Sequence, residues 1–249
     1  MPNVPETLDI LYEDDDLLVL NKPPGISVHP SLHESSGTLV DALLSYCPEL
    51  RGVGEDSVRP GIVHRLDKDT SGVLVIAKNQ ETFVELKELF RSRKIEKQYI
   101  AIVEGRVKAP RGTITLPIGR IGMRRGVDGP GRPLGKVREA ITNFVVRRRF
   151  RDATLLTLRP KTGRMHQLRV HLAAIGHPVL GDKLYGGKHT SLRASRQMLH
   201  ASSLTLSRRN GKRYTFEADP PEDFQETLGT LEENAAKYKN DEEFVHSEY

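Results

Sequence analysis

Apolar positions fall in short runs along most of the chain, and their spacing changes from run to run. "LDILYEDD" and "DLLVLNKP" read as two strands around an acidic turn, closed by the prolines of "NKPPG". "GTLVDALLSYCP" predicts a short helix with Thr38 as N-cap and Pro48 as stop. "VLVIAKN" is an unbroken β-branched run, the mark of a strand buried on both faces. In "QETFVELKELFRSRK", Phe83, Leu86 and Phe90 recur at helical spacing, with Leu89 beside them. "IEKQYIAIVEG" alternates, with Gln98, Ile100 and Ile102 on one side and Lys97, Tyr99, Ala101 and Val103 on the other.

The second half continues the mixture. Residues 119–138, "GRIGMRRGVDGPGRPLGKVR", are rich in Gly, Pro and Arg and predict a basic loop. "ITNFVVRRRF" and "ATLLTLRP" predict a further strand pair. "GRMHQLRVHLAAIG" predicts a helix ending at Gly176. "SLTLSRR" and "RYTFEAD" predict a late hairpin through a two-residue turn at Asn210-Gly211. "EDFQETLGTLEENAAKYK" predicts a C-terminal helix, and the last ten residues of the chain are expected to fray. Strands outnumber helices and several are consecutive. The fold expected is α+β, a mixed, largely antiparallel sheet flanked by helices. One domain is expected over 1–225, followed by a C-terminal helix and acidic tail over 226–249.

Composition narrows this only in places. The chain has 249 residues, 37% hydrophobic and 29% charged, enough for a sizeable core. No apolar run reaches the ~18 residues of a membrane helix, and the N-terminus lacks a signal-peptide pattern. Cys47 is the single cysteine, which fits a reducing cytosol and excludes an internal disulfide. A cytoplasmic, monomeric protein is expected. The net charge of +5 hides an asymmetry. Arg106–Arg151 holds 13 Arg/Lys against Asp128 and Glu139, and Pro221 onward holds nine acidic residues against two lysines. Such a basic belt suggests a polyanionic partner.

Reactive residue types concentrate in "HRLDKDTS" (64–71) and "KTGRMHQLRVH" (161–171). His166 and His171 would sit about 140° apart on a helix, a poor pair of metal ligands. Ser71 lacks the G-x-S-x-G setting of a serine nucleophile, and no phosphate-cradling glycine motif opens a helix. Carboxylates remain. Asp67 could serve alone as a nucleophile at a sugar carbon, or with Asp69 as a glycosidase pair. Burial beside "VLVIA" would raise its pKa, and a nearby arginine would reverse that; Arg65 and Arg169 are the candidates. On residue types alone, a turn-forming aspartate is the commoner reading.

"GIVHRLDKDTSGVLVIAKN" resembles the signature of the RluA-type RNA pseudouridine synthases, H-R-L-D-x-x-T-S-G, at every fixed position from His64 to Gly72. "LLVLNKPPGISVHP" is similar to the family's first motif and "KQYIAIVEG" to its tyrosine motif. "LRPKTGRMHQLRVHLAAIGHPVLGDKLYG" is similar to its third motif and the loop after it, and "LHASSLTL" and "FEADPPEDF" to its closing strands. The likeness runs from about residue 8 to about 225 and implies the pseudouridine synthase catalytic fold over 1–225. The chain opens almost directly on the first motif, so a catalytic domain without the S4 domain of many members is expected.

The resemblance implies an isomerase that detaches a uracil at N1, turns it and rejoins it through C5, with no metal, cofactor or nucleotide. The partner implied is structured RNA, ribosomal first and transfer RNA second. Asp67 is the implied catalytic aspartate, adding to the ribose or assisting loss of the base. Arg169 is implied to pair with that carboxylate, and Leu168 to pack in the pocket. Tyr99 is implied to stack on the uracil and help remove the C5 proton. Arg65 is implied to fill the stack left by the flipped base, and His64 is grouped with it as substrate-binding. Lys22, Pro23, Gly163 and His166 are expected to be structural, and the basic belt to meet the RNA backbone. Two other classes stay open: a catalytically idle RNA-binding protein on this fold, and a glycosidase releasing free base.

Overall fold

The computed structural model describes residues 7–31, 34–122, 124–127, 134–186, 192 and 194–246, without the side chains of 237–246. The chain forms two compact units. The first holds residues up to Tyr99 and His200–Asp219; the second holds Ile100–Leu199 and Pro220 onward.

In the first unit, β1 (Ile10–Glu13) and β2 (Leu17–Lys22) form the expected pair, and β3 (Ser71–Ala77) lies antiparallel to β2 from Leu17–Ala77 to Lys22–Gly72. β10 (Leu199–Ser207) runs parallel to β3, and β11 (Arg213–Glu217) pairs antiparallel with β10. The strand order is β1-β2-β3-β10, followed by β4 (Glu96–Glu104). Every residue of β3 is buried. The cause is the two-residue period of a strand with a helix on each face. Leu17, Val19, Val73, Val75 and Ala77 pack with Phe83 and Leu86 of α2 (Gln80–Arg91). Leu18, Leu20, Leu74 and Ile76 pack with Leu39 and Leu43 of α1 (Leu39–Tyr46). Each such leucine contributes about 1.5–3 kcal/mol. At Thr38, the Asp41 carboxylate accepts from both the backbone N–H (2.8 Å) and the hydroxyl (3.0 Å).

In the second unit, the end of β4 is followed in strand order by β9 (Ala153–Pro160), β8 (Thr142–Arg149) and β5 (Arg111–Ile114). Ile102, Phe150, Ala153, Leu180 and Met198 form its core with Phe224 and Leu231 of α4 (Glu222–His246). Arg196 fixes the start of α4 through two bonds to Asp223, 2.6 and 2.8 Å. Arg148 pairs with Glu232, so part of the basic belt meets the acidic C-terminal segment. The sheet is mixed and mostly antiparallel with helices against it, as the sequence predicts. Among the described residues no helix is long and apolar enough to cross a membrane.

Four local expectations are corrected. The basic loop contains a hairpin, β6 (Ile118–Ile121) and β7 (Arg124–Val127), paired from Ile118–Val127 to Ile121–Arg124. Its strands are too short and too rich in Arg and Gly to show an alternating pattern; residues 128–133 of that loop lie outside the described residues. The helix after Gly163 starts later than predicted, as α3 (Gln167–Ala174), because His166 takes a left-handed backbone (φ 56°). The hairpin of β10 and β11 closes through Arg209–Gly211 rather than two residues. Gly211 N–H bonds Arg208 O at 3.0 Å, and Arg208 N–H bonds Lys212 O at 2.9 Å. The backbone of α4 stays helical to His246 where fraying is predicted; the last three residues of the acidic tail lie outside the described residues.

Candidate active site

The signature segment is a loop laid against β3. Gly61 O accepts from Ala77 N–H at 3.0 Å, and Val75 N–H donates to His64 Nε2 at 2.9 Å. The chain then turns and enters β3 at Ser71. Leu66 is buried in the α1-side core, and Thr70 N–H bonds Asp67 O at 3.0 Å. Asp67 is half-buried between these two fixed points.

Lys22 supplies the main tether. It is fully buried, and its Nζ donates to Pro23 O (2.7 Å), Ile26 O (2.9 Å) and Lys68 O (2.9 Å). A buried ammonium needs such acceptors to offset lost hydration. Lys68 O also accepts from Gly25 N–H at 3.0 Å. The first motif and the Asp67 turn are thus tied together one residue past Asp67, which gives Lys22 the structural role expected. Arg65 is exposed and donates from Nη1 to His29 Nε2 at 2.9 Å. His29 Nδ1 in turn donates to Pro30 O at 2.9 Å, which fixes the neutral tautomer; burial lowers its pKa, and Arg65 adds to this.

His64 is engaged by the fold itself. Its ring stacks on Phe90 at 4.6 Å. Burial, with Lys97 nearby, lowers its pKa from 6.5 to about 3. The unfolded chain therefore takes up the proton at a higher pH than the native one. The stability from neutral His64 is complete above pH 6.5 and is lost as pH falls towards 3. His64→Gln is expected to flatten the fall of melting temperature below pH 6.5, measured by circular dichroism against wild type. An unchanged slope would show that His64 is protonated without penalty.

Tyr99, on β4, packs against the same core as Leu66 and Ala201. Burial raises its pKa, and the Asp67 carboxylate raises it further. Asp67 and Tyr99 are therefore in electrostatic reach within the first unit, and the phenol keeps its proton at neutral pH. Of the predicted site, Asp67 and Tyr99 come within electrostatic reach, Arg65 lies exposed two residues before Asp67, and His64 is taken up by Phe90 and the Val75 N–H.

Leu168 and Arg169 belong to the second unit, on α3. Residues Gln167 to Leu172 are all buried, the polar ones included. Gln167 donates to Ile141 O and Thr142 Oγ1 and accepts from Thr162 Oγ1 and Arg164 N–H. His171 bonds Thr142 Oγ1 and Leu116 O. These bonds pin the helix to the start of β8. Arg169 donates from Nε and Nη2 to the two oxygens of Asp182, at 2.7 and 2.9 Å, and its guanidinium lies 5.2 Å from the ring centre of Tyr185. Asp182 also accepts from Leu184 and Tyr185 N–H, at 2.9 and 3.0 Å. Burial alone would raise the pKa of Asp182, but Arg169 and these two amides outweigh it and hold the carboxylate below its ordinary range.

Residues 16–174, more than half of the chain, match the family model described as RNA pseudouridylate synthase. The chain belongs to the RNA pseudouridine synthase family. It is 43% identical over 231 residues to the uncharacterized RNA pseudouridine synthase YlyB of Bacillus subtilis, covering 92% of this chain and 75% of that one. It is 40% identical to ribosomal large subunit pseudouridine synthase D of Haemophilus ducreyi, over 96% and 74% of the two chains. The solved structure of human RNA pseudouridylate synthase domain containing 1 superposes with a TM-score of 0.72 at 30% identity, over 87% of this chain and 84% of that one. This pseudouridine synthase is therefore an isomerase of uridine in RNA.

The residue that sequence reasoning missed is Asp182. A signal was present: one acidic residue in the glycine-bracketed, mostly apolar run "VLGDKLYGG" must satisfy something buried.

Proposed function

We propose that this synthase acts on ribosomal RNA, with Asp67 as the nucleophile. The observation that carries the reading is the setting of Asp67. Its loop is tied to the first motif by Lys22 and anchored by Leu66, and the carboxylate is coupled to Tyr99. That fixes a carboxylate beside an aromatic platform, which suits attack on the sugar of an extruded nucleotide. The ribosomal substrate is supported by the name of the relative from Haemophilus ducreyi.

The target uridine flips out of its stack at a cost of a few kcal/mol, and exposed Arg65 fills the gap. Tyr99 stacks on the uracil. Because it holds its proton, it enters the reaction as a phenol; it must lose that proton before it can take one from C5. Asp67 adds to the ribose or assists loss of the base, and the C1′–N1 bond breaks; C1′ then joins the ring at C5, any Asp67–C1′ bond breaks as it does so, and the proton lost from C5 is balanced by one gained at N1. The electrons and atoms of the nucleotide are conserved, so no cofactor or nucleotide is required. Arg169 serves as the counter-charge of Asp67 and Leu168 as part of the pocket wall. His64 holds the loop from behind. The exposed arginines of the second unit, Arg106, Arg111, Arg120, Arg124 and Arg138, meet RNA phosphates, so affinity falls with salt. The protein works as a monomer in the cytoplasm.

The test is a pseudouridine map of total RNA from cells with and without the gene, then with wild type or Asp67→Ala restored. The expected result is loss of ribosomal sites that only the wild type restores. Loss confined to transfer RNA would move the substrate. An unchanged map would overturn the reading, as would restoration by Asp67→Ala.

A further inference from the structure

We propose that Tyr185 is a positioning residue through which the β6–β7 hairpin sets the orientation of Arg169. Two ends of one side chain carry the argument. The hydroxyl accepts from Arg125 N–H of β7 at 3.1 Å and is hydrogen-bonded to His166 Nδ1 at 2.9 Å. The ring supports the Arg169 guanidinium at 5.2 Å. The backbone N–H of Tyr185 donates to Asp182 Oδ1, the same oxygen that takes Arg169 Nη2. A shift of Tyr185 therefore moves both supports of Arg169: the aromatic face and the carboxylate.

The hairpin is built to transmit such a shift. Two four-residue strands alone are marginal, so their position depends on what they pack against and what they bind. Their apolar side, Ile118 and Val127, packs with Ala140, with Tyr185, and with Val170, the neighbour of Arg169 on α3. Arg120 and Arg124 are exposed. Arg125 is half-buried, and its Nη2 reaches Met165 Sδ at 3.7 Å. The hairpin thus offers cations on one side and grips the Arg169 helix on the other. His166 reinforces the linkage. It is a non-glycine residue at φ 56°, and such a conformation persists only where its surroundings fix it; here its ring is held by the Tyr185 hydroxyl. Phosphate binding at Arg124 would draw on β7, and the Arg125 N–H bond passes the displacement to Tyr185 and from it to Arg169. The synthase would complete its site only when structured RNA spans the hairpin.

The inference rests on the role proposed for Arg169, and the experiment separates the two. Single-turnover pseudouridine formation is followed on total RNA from cells lacking the gene, at saturating full-length protein. The variants are Tyr185→Phe, Arg124→Ala, their double and Arg169→Ala; RNA affinity and melting temperature are measured alongside. Tyr185→Phe keeps the ring and removes the hydroxyl. It is expected to slow the saturated rate by about tenfold to a hundredfold, as small misplacements of a reacting site do, with affinity unchanged. Arg124→Ala is expected to lower affinity and also the saturated rate. In the Tyr185→Phe background it lowers affinity but slows the rate no further. Rate losses that multiply in the double variant, or a wild-type rate for Tyr185→Phe, would overturn the proposal. If Tyr185→Phe melts early, Arg124→Ala decides alone: an unchanged saturated rate overturns the coupling. Full activity of Arg169→Ala would instead overturn the role of Arg169 itself.

Discussion

Asp67→Ala is expected to lose pseudouridine formation by a factor on the order of 10⁴ or more while the protein folds and binds RNA as before. The size follows from the role: a nucleophile has no substitute in the loop. Asp69 follows Lys68, whose carbonyl Lys22 and Gly25 hold in place. The intact fold follows from how the loop is anchored. Its described tethers are the Leu66 side chain, the Lys68 carbonyl, the Arg65–His29 bond and the backbone bond from Thr70 to Asp67 O. One ionic effect accompanies the loss. The carboxylate raises the pKa of Tyr99, so removing it lets the tyrosine titrate at lower pH, visible in the ultraviolet absorbance of the phenolate. The measurements are pseudouridine yield, RNA affinity and thermal melting on one preparation. Residual turnover within tenfold of wild type would sink the nucleophile assignment; a collapsed melting temperature would show that Asp67 is instead a structural residue.

The sequence was informative where one physical rule acted alone. Leu17 to Leu20 and Val73 to Ala77 are apolar without a break because helices cover both faces of those strands, and continuous burial leaves that mark. The signature loop was legible only through its resemblance to the RluA-type synthases; on residue types alone Asp67 reads as a turn-former. Where several rules compete, the pattern failed. In α3, Gln167, Arg169 and His171 are buried beside Leu168, Val170 and Leu172, because bonds to Thr142, Ile141, Leu116 and Asp182 satisfy them. The sequence predicts this helix, but no hydrophobic periodicity shows that its polar side chains are buried. The β6–β7 hairpin stayed hidden because its strands carry arginine outward and glycine against neighbours: a Cβ on Gly126 would lie 2.3 Å from Ile121. Asp182 and Tyr185 take their importance from Arg169, thirteen and sixteen residues earlier, and only the folded chain brings them to it.

Gly72→Ala is expected to destabilise the protein by about 4 kcal/mol or more, into the range reserved for severe backbone conflict. Gly72 closes the signature motif, and its place in the sheet explains why glycine stands there. It lies in β3 between two neighbours, opposite Lys22 on β2 and Ala201 on β10. Its φ is +111°, a region open to glycine and strained for any other residue. An added Cβ would sit 2.2 Å from Ala201 O and 2.7 Å from Ala201 N, against backbone that cannot rotate away. Relief would require β10 to part from β3 where Ser71 Oγ meets buried His200 at 3.0 Å. Movement towards β2 instead displaces Lys22, which holds the turn after Asp67. Gly176→Ala is the control: its φ of +82° carries the same kind of strain, but nothing lies within 4 Å of the added carbon. Its expected loss is about 1–2 kcal/mol. Urea melts of the two variants beside wild type make the comparison. Equal losses would mean that left-handed strain alone accounts for Gly72 and that β10 yields to the methyl group. A far larger loss at Gly72 than at Gly176 would assign the motif's final glycine to the contact of β3 with β10, and so tie the rigidity of the Asp67 loop to a strand more than a hundred residues later.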